Sequence, residues 1–222
     1  MLLPLLLVIG CNELMAPEPE GLGYDYFPLT IGEFRIYDVE VINYNLDGSI
    51  STEVYQLKEV VADSSIAGGE TSFRLDRYRR TDALEAWVID SVWSARRNTY
   101  QAIVVENNVP IIKLSFPLAE DKTWDGNAMN SRDFDEFEIK NLGKTFQFDS
   151  IDYPNSLEML KENLVDSGGF TVKDYNLEVF SSDLGLIYRL DENLVYCQSC
   201  TPFTIEEGVK YEQKLVEIGK VN

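Results

Sequence analysis

Two cysteines near the C-terminus, Cys197 and Cys200, are separated by two residues, a spacing that supports several kinds of thiol chemistry. In an oxidising compartment such a pair closes as a disulfide. A redox pair needs its first cysteine at a helix N-terminus after a strand, whereas this pair is followed by Thr201-Pro202-Phe203. Zinc would need further ligands, which here could only be carboxylates. We expect a structural disulfide or turn; redox chemistry, metal binding and free thiols are the alternatives.

The third cysteine, Cys11, ends an apolar run and could carry lipid. Residues 1–10 are apolar but shorter than the about 20 residues that span a bilayer. Val8-Ile9-Gly10-Cys11 resembles the lipobox of a bacterial lipoprotein signal, although no Lys or Arg precedes the run. The resemblance implies cleavage before Cys11 and acylation, and two or more acyl chains give a stable membrane anchor. The alternative is a buried strand with Cys11 as a core thiol.

The sequence contains no histidine, which removes much of enzyme chemistry. Ser-His-Asp triads, Cys-His dyads, histidine bases and histidine metal ligands are all excluded. Among 38 acidic residues, a carboxylate pair at glycosidase spacing arises by chance. The densest run, Asp133, Asp135, Glu136 and Glu138, alternates between the two faces of a strand, so its carboxylates cannot converge on calcium. We expect no metal site, no cofactor and no catalytic residue.

The net charge of the chain is −19, from 38 acidic and 19 basic residues. Nucleic-acid binding depends on Lys and Arg that displace counterions from phosphates. The longest basic runs here are the pairs Arg79-Arg80 and Arg96-Arg97. We therefore exclude nucleic acid as a partner. Hydrophobic residues make up 45% of the chain, which is enough to bury a core.

Three tryptophans, Trp87, Trp93 and Trp124, could line a ligand-binding face together with Tyr78 and Tyr100. Aromatic rings on a concave sheet offer a platform for apolar ligands or sugars. In a β-rich domain the same rings more often fill the core. Both interpretations stay open at the level of sequence.

The elements that must position these residues are strands, because hydrophobic and polar residues alternate from Phe34 onward. Period two is typical of half-buried antiparallel strands. The alternation is clearest at Tyr37/Val39/Val41, Tyr55/Leu57, Phe73/Leu75, Phe137/Ile139, Phe146/Phe148, Tyr175/Leu177/Val179 and Val209/Tyr211/Gln213/Leu215. Turn signals rich in Gly, Asn and Asp separate these runs, including Glu206-Glu207-Gly208. We predict an all-β, mainly antiparallel fold with at most one or two short helices.

Residues 156–167 fit two structures. Leu157, Leu160 and Leu164 fall at helical spacing after a Pro-Asn-Ser sequence that could start a helix. The strand alternative places Leu157 and Met159 on one face. The spacing favours a short helix, and the strand stays open.

A short motif occurs twice, as Phe27-Pro28-Leu29 before Phe34 and as Phe116-Pro117-Leu118 before Trp124. The distance from the motif to the following aromatic residue is nearly the same in both copies. The repeat predicts two related halves. Alternatively, proline simply opens two strands at a sheet edge.

The opening Tyr26-Phe27-Pro28-Leu29-x-x-Gly32-x-Phe34-x-x-Tyr37 resembles a group of uncharacterised Gram-negative outer-membrane lipoproteins, with Phe34 in place of the group's usual Trp. Further matches are Glu106-Asn107-Asn108, Lys113-Leu114-x-Phe116-Pro117, Trp124-x-Gly126-Asn127, Gly185-Leu186-Ile187-Tyr188-Arg189 and Ile205-Glu206-x-Gly208-x-Lys210-Tyr211. The group is similar to the TapB-like family of exported β-proteins, whose motifs fall in the same order. The resemblance covers residues 24–219. It implies a curved sheet or half-barrel like that of periplasmic lipoprotein carriers, and it brings no known activity.

These patterns divide the chain into a signal peptide at 1–10, a lipidated N-terminus and flexible stalk at 11–23, and one β domain at 24–222. We expect an outer-membrane lipoprotein of the cell envelope, held by its lipid anchor. Its domain is expected to be a non-catalytic binding module for a hydrophobic ligand or a protein partner. The alternatives are an accessory subunit of an envelope assembly and a hydrolase that uses carboxylates alone.

Overall fold

The computed structural model describes residues 19–167, 170–197, 199–200 and 204–221, so Cys11 and the predicted signal peptide lie outside the described residues. Two short 3₁₀ helices, Pro19–Leu22 and Tyr24–Tyr26, precede a single antiparallel sheet of twelve strands. The strands are β1 (Glu33–Tyr44), β2 (Ile50–Ala67), β3 (Glu70–Arg80), β4 (Val88–Arg97), β5 (Gln101–Glu106), β6 (Val109–Ser115), β7 (Thr123–Asp125), β8 (Glu136–Phe148), β9 (Ile151–Ser167), β10 (Phe170–Ser181), β11 (Gly185–Cys197) and β12 (Thr204–Lys220). The predicted all-β, mainly antiparallel fold is confirmed. Neither helix is long and apolar enough to cross a membrane, within the described part of the chain.

Strands that are neighbours in the sheet are neighbours in the chain, except where the first strand pairs with the last. The order across the sheet is β6-β5-β4-β3-β2-β1-β12-β11-β10-β9-β8-β7. Strands β1 and β12 pair along the whole of β1, from Glu33 opposite Lys220 to Tyr44 opposite Gly208. Consequently the two edge strands, β6 and β7, are consecutive in the chain.

The two edges meet and nearly close the sheet. The backbone N–H of Ile112 on β6 donates to the carbonyl of Gly126, just after β7, at 3.0 Å. The indole Nε1 of Trp124 donates to the carbonyl of Ile112 at 2.9 Å. Asn130 Nδ2 donates to the carbonyl of Pro110 at 2.8 Å. The sheet is therefore barrel-shaped, with its seam at the middle of the chain.

Residues 24–29, which we call the plug, cover one end of the sheet. The ring of Tyr24 meets Phe116 edge-on, with 4.8 Å between ring centres. The ring of Phe27 lies 6.3 Å from that of Phe180 on β10. The larger of two hydrophobic clusters includes these four aromatic side chains. The two Phe-Pro-Leu segments thus lie at the same end of the sheet, one ahead of β1 and one ahead of β7.

The last residues of the predicted stalk, 11–23, are folded against the domain. Pro19–Leu22 form a 3₁₀ helix, and the backbone N–H of Leu118 donates to the carbonyl of Leu22 at 3.3 Å. Gly23 has φ +83°, and a Cβ added there would lie 2.3 Å from the Leu118 side chain. Leu22 and Gly23, the last two residues of the predicted stalk, therefore contact the domain, and the stalk itself stays a prediction.

Residues 156–167 form a strand, so the favoured prediction of a short helix is wrong. They belong to β9, which pairs with β8 on one side and β10 on the other. Leu157 and Met159 are both fully buried, whereas Leu164 is exposed. Alternation therefore decides the structure here, because two neighbouring strands supply the hydrogen bonds that a helix would otherwise make within itself.

The predicted turn at Glu206-Glu207-Gly208 lies instead within β12, where Gly208 faces Leu194 on β11. Gly208 has φ +138°, and an added Cβ would lie 2.2 Å from the carbonyl oxygen of Asn193. Only glycine fits this close approach of two backbones.

We expect Gly208→Ala to lower the free energy of unfolding by about 3 kcal/mol, because it adds both a clash and a strained φ. Gly48→Ala is the matched control: Gly48 has φ +79°, and no atom would lie within 4 Å of its Cβ. The control isolates the cost of the φ value alone. Urea unfolding of both variants measures the difference, and equal losses would contradict the role of the close approach.

Candidate functional site

Five charged side chains, which we call the ion cluster, meet in the interior of the sheet. Glu106 ends β5, Lys113 lies on β6, Glu178 on β10, and Arg189 and Asp191 on β11. Lys113, Glu178 and Arg189 each interrupt an apolar stretch of their strand, and alternation turns them to the inner face. Since β5 and β6 come from the first half of the chain and β10 and β11 from the second, the cluster joins the two halves across the interior.

Lys113 stands at the centre of the ion cluster. Its Nζ lies 2.7 Å from Glu106 Oε1 and 2.6 Å from Glu178 Oε1. Arg189 Nη2 lies 2.7 Å from Asp191 Oδ2, and its Nη1 lies 3.7 Å from Glu106 Oε2 and 3.6 Å from Glu178 Oε1. Lys113 is 5% exposed and Glu178 only 1%. These are desolvated ion pairs, in which each charge depends on its partners.

The neighbouring charges fix the ionisation of the cluster. Burial raises the pKa of Glu106. The cations of Lys113 and Arg189 lower it by a larger amount, so that its pKa is about 2. Burial lowers the pKa of Lys113, but Glu106 and Glu178 raise it above its ordinary value. The pKa of Arg189 is likewise lowered by burial and raised by its carboxylate partners, with a net rise. Glu106 is therefore a carboxylate at neutral pH, opposite permanent cations.

Two spaces meet at the ion cluster, and Arg77, Trp93, Glu106 and Arg189 line both. The inner cavity, of about 70 Å³, lies beneath the plug and is lined by Phe27, Pro28, Leu29, Arg35, Glu59, Val61, Leu75, Arg77, Trp93, Val104, Glu106, Lys113, Glu178, Phe180, Gly185, Leu186 and Arg189. The outer cleft, of about 370 Å³, is lined by Tyr55, Leu57, Arg77, Asp90, Trp93, Glu106, Asn107, Arg189, Asp191, Asn193, Val209 and Tyr211. Small-molecule sites span roughly 300–1,000 Å³, so only the outer cleft has that size.

The outer cleft extends toward β8 and β9. A further space of about 280 Å³ shares Glu106, Arg189, Asp191 and Asn193 with it. Its other lining side chains are mostly polar, among them Lys161, which lies 3.0 Å from Asp174 Oδ2. The accessible interior thus combines charged and polar groups with apolar and aromatic side chains.

Aromatic rings in the outer cleft carry guanidinium groups on their faces. The Arg77 guanidinium carbon lies 3.6 Å from the centre of the Trp93 ring, and that of Arg189 lies 5.6 Å from the Tyr211 ring. Tyr55 is paired with Arg79 in the same way, at 3.8 Å. Such stacking restricts both partners and holds the arginines in fixed positions.

Only one of the three tryptophans predicted to face a ligand lines the cleft. Trp93 on β4 borders both spaces. Trp124 instead packs in the core beside the seam, with its ring 6.0 Å from Phe137. Trp87 lies before β4 with the Arg80 guanidinium 4.2 Å from its ring centre. The tryptophans therefore occupy three different environments and form no common platform.

The structure joins Cys197 and Cys200 as a disulfide, with 5.4 Å between their Cα atoms. Glu206 lies beside them, with the two sulfurs and a carboxylate oxygen within 4.8 Å of one another. Sulfurs bonded to each other are not thiolates, so this group is no zinc site in the oxidised protein. The predicted lipidation site, Cys11, lies outside the described residues.

Two solved structures resemble the chain in part. One, from Bacteroides fragilis NCTC 9343, is described as an exported protein with a YmcC-like fold; it is 14% identical over 87% of this chain and 98% of that one, with a TM-score of 0.46. The other, from Parabacteroides distasonis ATCC 8503, is described as a lipoprotein; it is 12% identical over the same shares, with a TM-score of 0.43. No protein-family model matches the chain, and no curated protein does.

The ion cluster was not among the residues predicted to form a site. Three of its members, Glu106, Lys113 and Arg189, belong to motifs that carry the family resemblance. The signal that could have found them is a single charge within an apolar strand, as in Ile111-Ile112-Lys113-Leu114. A buried charge needs a partner, so each such position predicts an opposite charge elsewhere in the sheet.

Proposed function

We propose that this protein is a lipid-anchored binding protein of the cell envelope, whose outer cleft takes a small ligand without catalysing a reaction. The observation that carries the proposal is the outer cleft itself. It has the volume of a ligand site, walls made rigid by stacked arginines and aromatic rings, and convergent polar groups on its floor.

Unmade hydrogen bonds in the lining support a role in binding. Trp93 Nε1 and Arg77 Nε are buried and have no hydrogen-bond partner within the described part of the chain. Buried donors are nearly always satisfied in folded proteins, by protein, water or ligand. Two adjacent orphan donors therefore favour an occupant that supplies acceptor atoms.

Ionisation of the cluster favours binding over hydrolysis. A carboxylate-only hydrolase needs one carboxyl group with a raised pKa, which holds a proton to donate at neutral pH. Glu106 is the cleft carboxyl group nearest to Lys113, and its pKa is lowered to about 2. It stays ionised and serves to fix the cations around it.

The lining also defines the kind of ligand. A hydrophobic ligand was expected from the sequence, and apolar side chains line both spaces, but the inner cavity of about 70 Å³ is too small for a whole ligand. Larger volume is available in the outer cleft, where Arg77, Asp191 and Asn193 meet aromatic rings. This combination suits a ligand that has both polar groups and a flat or ring-shaped body.

The anchor would set the orientation of the cleft. Seven residues, 12–18, separate Cys11 from the 3₁₀ helix that begins at Pro19, and the eight Cα–Cα steps between Cys11 and Pro19 reach at most about 28 Å. The plug end of the sheet would therefore stay close to the membrane. The outer cleft, which contains no plug residue in its lining, would open away from it.

One experiment tests both the bound ligand and the lipid anchor. The full chain is purified in detergent from a bacterial envelope, and its mass is measured under native and under denaturing conditions. Excess native mass that is lost on denaturation would give the mass of the ligand. A denatured mass above that of the chain from Cys11 would give the acyl groups. A native mass equal to the denatured mass would contradict ligand binding and would favour a role as an accessory subunit of an envelope assembly.

A separate prediction concerns the anchor. We expect Cys11→Ala to move the protein from the membrane fraction to the soluble fraction or to leave its signal uncleaved, because acylation of Cys11 precedes cleavage. Fractionation and the mass of the N-terminal peptide report the result. A variant that is both cleaved and membrane-bound would overturn the anchor, and Cys200→Ser is the control for loss of a cysteine as such.

A further inference from the structure

Arg35 on β1 is a buried cation without an ion pair. It is 5% exposed, and its Nε donates to the carbonyl of Leu184 at 2.5 Å. No carboxylate of the described residues forms an ion pair with it. A buried charge without a counterion is costly, so an arginine in this state indicates that something else balances it.

Arg77 on β3, two strands away, is a second buried cation, and its one ion-pair partner is held loosely. Its side chain is 10% exposed, and its Nε lies 3.5 Å from Glu59 Oε2, too far for a good hydrogen bond. Glu59 on β2 stands between the two arginines, directly opposite each of them in the strand register. The described residues make no hydrogen bond to the terminal nitrogens of either arginine.

Both arginines line the inner cavity, together with Trp93. Four cationic side chains and three carboxylates line this space, and Asp191, which Arg189 holds at 2.7 Å, makes the set electrically neutral. Lys113 and Arg189 share three carboxylates, Glu106, Glu178 and Asp191. Arg35 and Arg77 have only Glu59 between them, so the excess positive charge lies on their side of the cavity.

We infer that the inner cavity is an oxyanion subsite, which takes the carboxylate of a ligand whose body lies in the outer cleft. The inference rests on the proposed binding function and names the chemistry of its ligand. Arg35, Arg77 and the indole Nε1 of Trp93 are donors only, so they select an acceptor that carries no protons. A planar guanidinium held on an aromatic ring is suited to two parallel hydrogen bonds with a carboxylate.

The volume of the inner cavity and its connection to the outer cleft both fit an anionic group bound in the cavity. A cavity of about 70 Å³ holds a carboxylate group but not a whole ligand. Arg77, Trp93, Glu106 and Arg189 line both spaces, so a molecule that reaches the inner cavity also occupies the outer cleft. A ligand would thus enter with its anionic end first.

Benzoate and benzamide test the subsite, because they have the same shape and differ in charge. The full chain in detergent is titrated with each at pH 7 and constant ionic strength, while NMR follows the Nε–H of Arg77 and the indole N–H of Trp93. We expect benzoate to shift both signals to saturation, with an affinity at least 10-fold above that of benzamide.

Variants of the arginines assign the effect to the inner cavity. We expect Arg77→Gln and Arg35→Gln each to weaken benzoate binding at least 10-fold, and Arg77→Lys to weaken it less because the charge remains. Arg74→Gln is the control, since Arg74 lies on the same strand, is half exposed and pairs with Asp76 at 3.0 Å. If the Gln variants do not fold, the comparison of benzoate with benzamide on the wild-type protein, together with Arg77→Lys, still tests the subsite.

The outcomes separate the subsite from the binding function. Equal binding of benzoate and benzamide would overturn the oxyanion subsite and leave the binding function standing. A neutral native ligand, identified by mass, together with no benzoate binding would do the same. No response to either probe and no ligand in the native mass would overturn both.

Discussion

Lys113→Met is expected to lower the free energy of unfolding by about 3 to 5 kcal/mol, the cost of breaking a buried ion pair by removing one partner. Methionine fills the space of the lysine stem but leaves Glu106 and Glu178 facing each other without the cation between them. Glu178 is 1% exposed and cannot be solvated in place. Urea unfolding, with an unchanged dependence on denaturant, measures the loss.

Lys140→Met is the matched control for this substitution. Lys140 also bridges two carboxylates, with its Nζ 2.7 Å from Asp121 and from Glu138, but it lies at the surface. Exposed ion pairs contribute little because water and salt screen them. If Lys140→Met lowers the free energy of unfolding as much as Lys113→Met does, burial is not what makes the loss of Lys113 costly. Adding Glu106→Gln to Lys113→Met should recover part of the stability.

Acidification from pH 5 to pH 2 is the second large effect expected. The pKa of Glu106 is about 2 in the folded protein and 4.5 for the free side chain. A carboxyl group with a lowered pKa stabilises the fold above its unfolded value and loses that contribution as pH falls through the folded value. The difference corresponds to at most about 3 kcal/mol, lost progressively between pH 5 and pH 2.

Urea midpoints at several pH values in this range measure the effect, and Glu106→Gln identifies its source. The amide cannot be protonated, so the variant should be less stable at pH 6 and should lose less stability on acidification than the wild type. Glu136→Gln is the control, because Glu136 is an exposed carboxyl group outside the ion cluster, on β8. If Glu106→Gln keeps the full acid dependence, other carboxyl groups carry it.

Alternation predicted the sheet because a half-buried strand must separate apolar and polar side chains at period two. It identified the strands around Tyr37, Leu57 and Phe137, all of which are buried. At β9 the helical spacing of three leucines gave the wrong prediction, whereas the alternation of Leu157 and Met159 fits the observed strand. Leu164 is exposed on that strand, so its helical spacing has no packing consequence.

The ion cluster could be predicted only in part. A single charge within an apolar strand marks each position, as with Lys113 and Glu178. Which charges meet depends on the register of strands far apart in the chain, and that register is a property of the closed sheet. For the same reason the three tryptophans could not be assigned, because Trp93 faces the cleft while Trp124 faces the seam.

Because β1 pairs with β12, the sheet cannot be completed until the last strand has been synthesised. Ribosomes deliver β1 early and β12 last, yet each is the other's neighbour in the middle of the sheet. A nascent chain can form hairpins from β1 to β6, but one edge of β1 stays open until synthesis is nearly finished. Pairing between strands so distant in sequence is slow, and open strand edges invite association with other chains. We therefore expect the newly made chain to depend on protection of that edge until its last strand arrives.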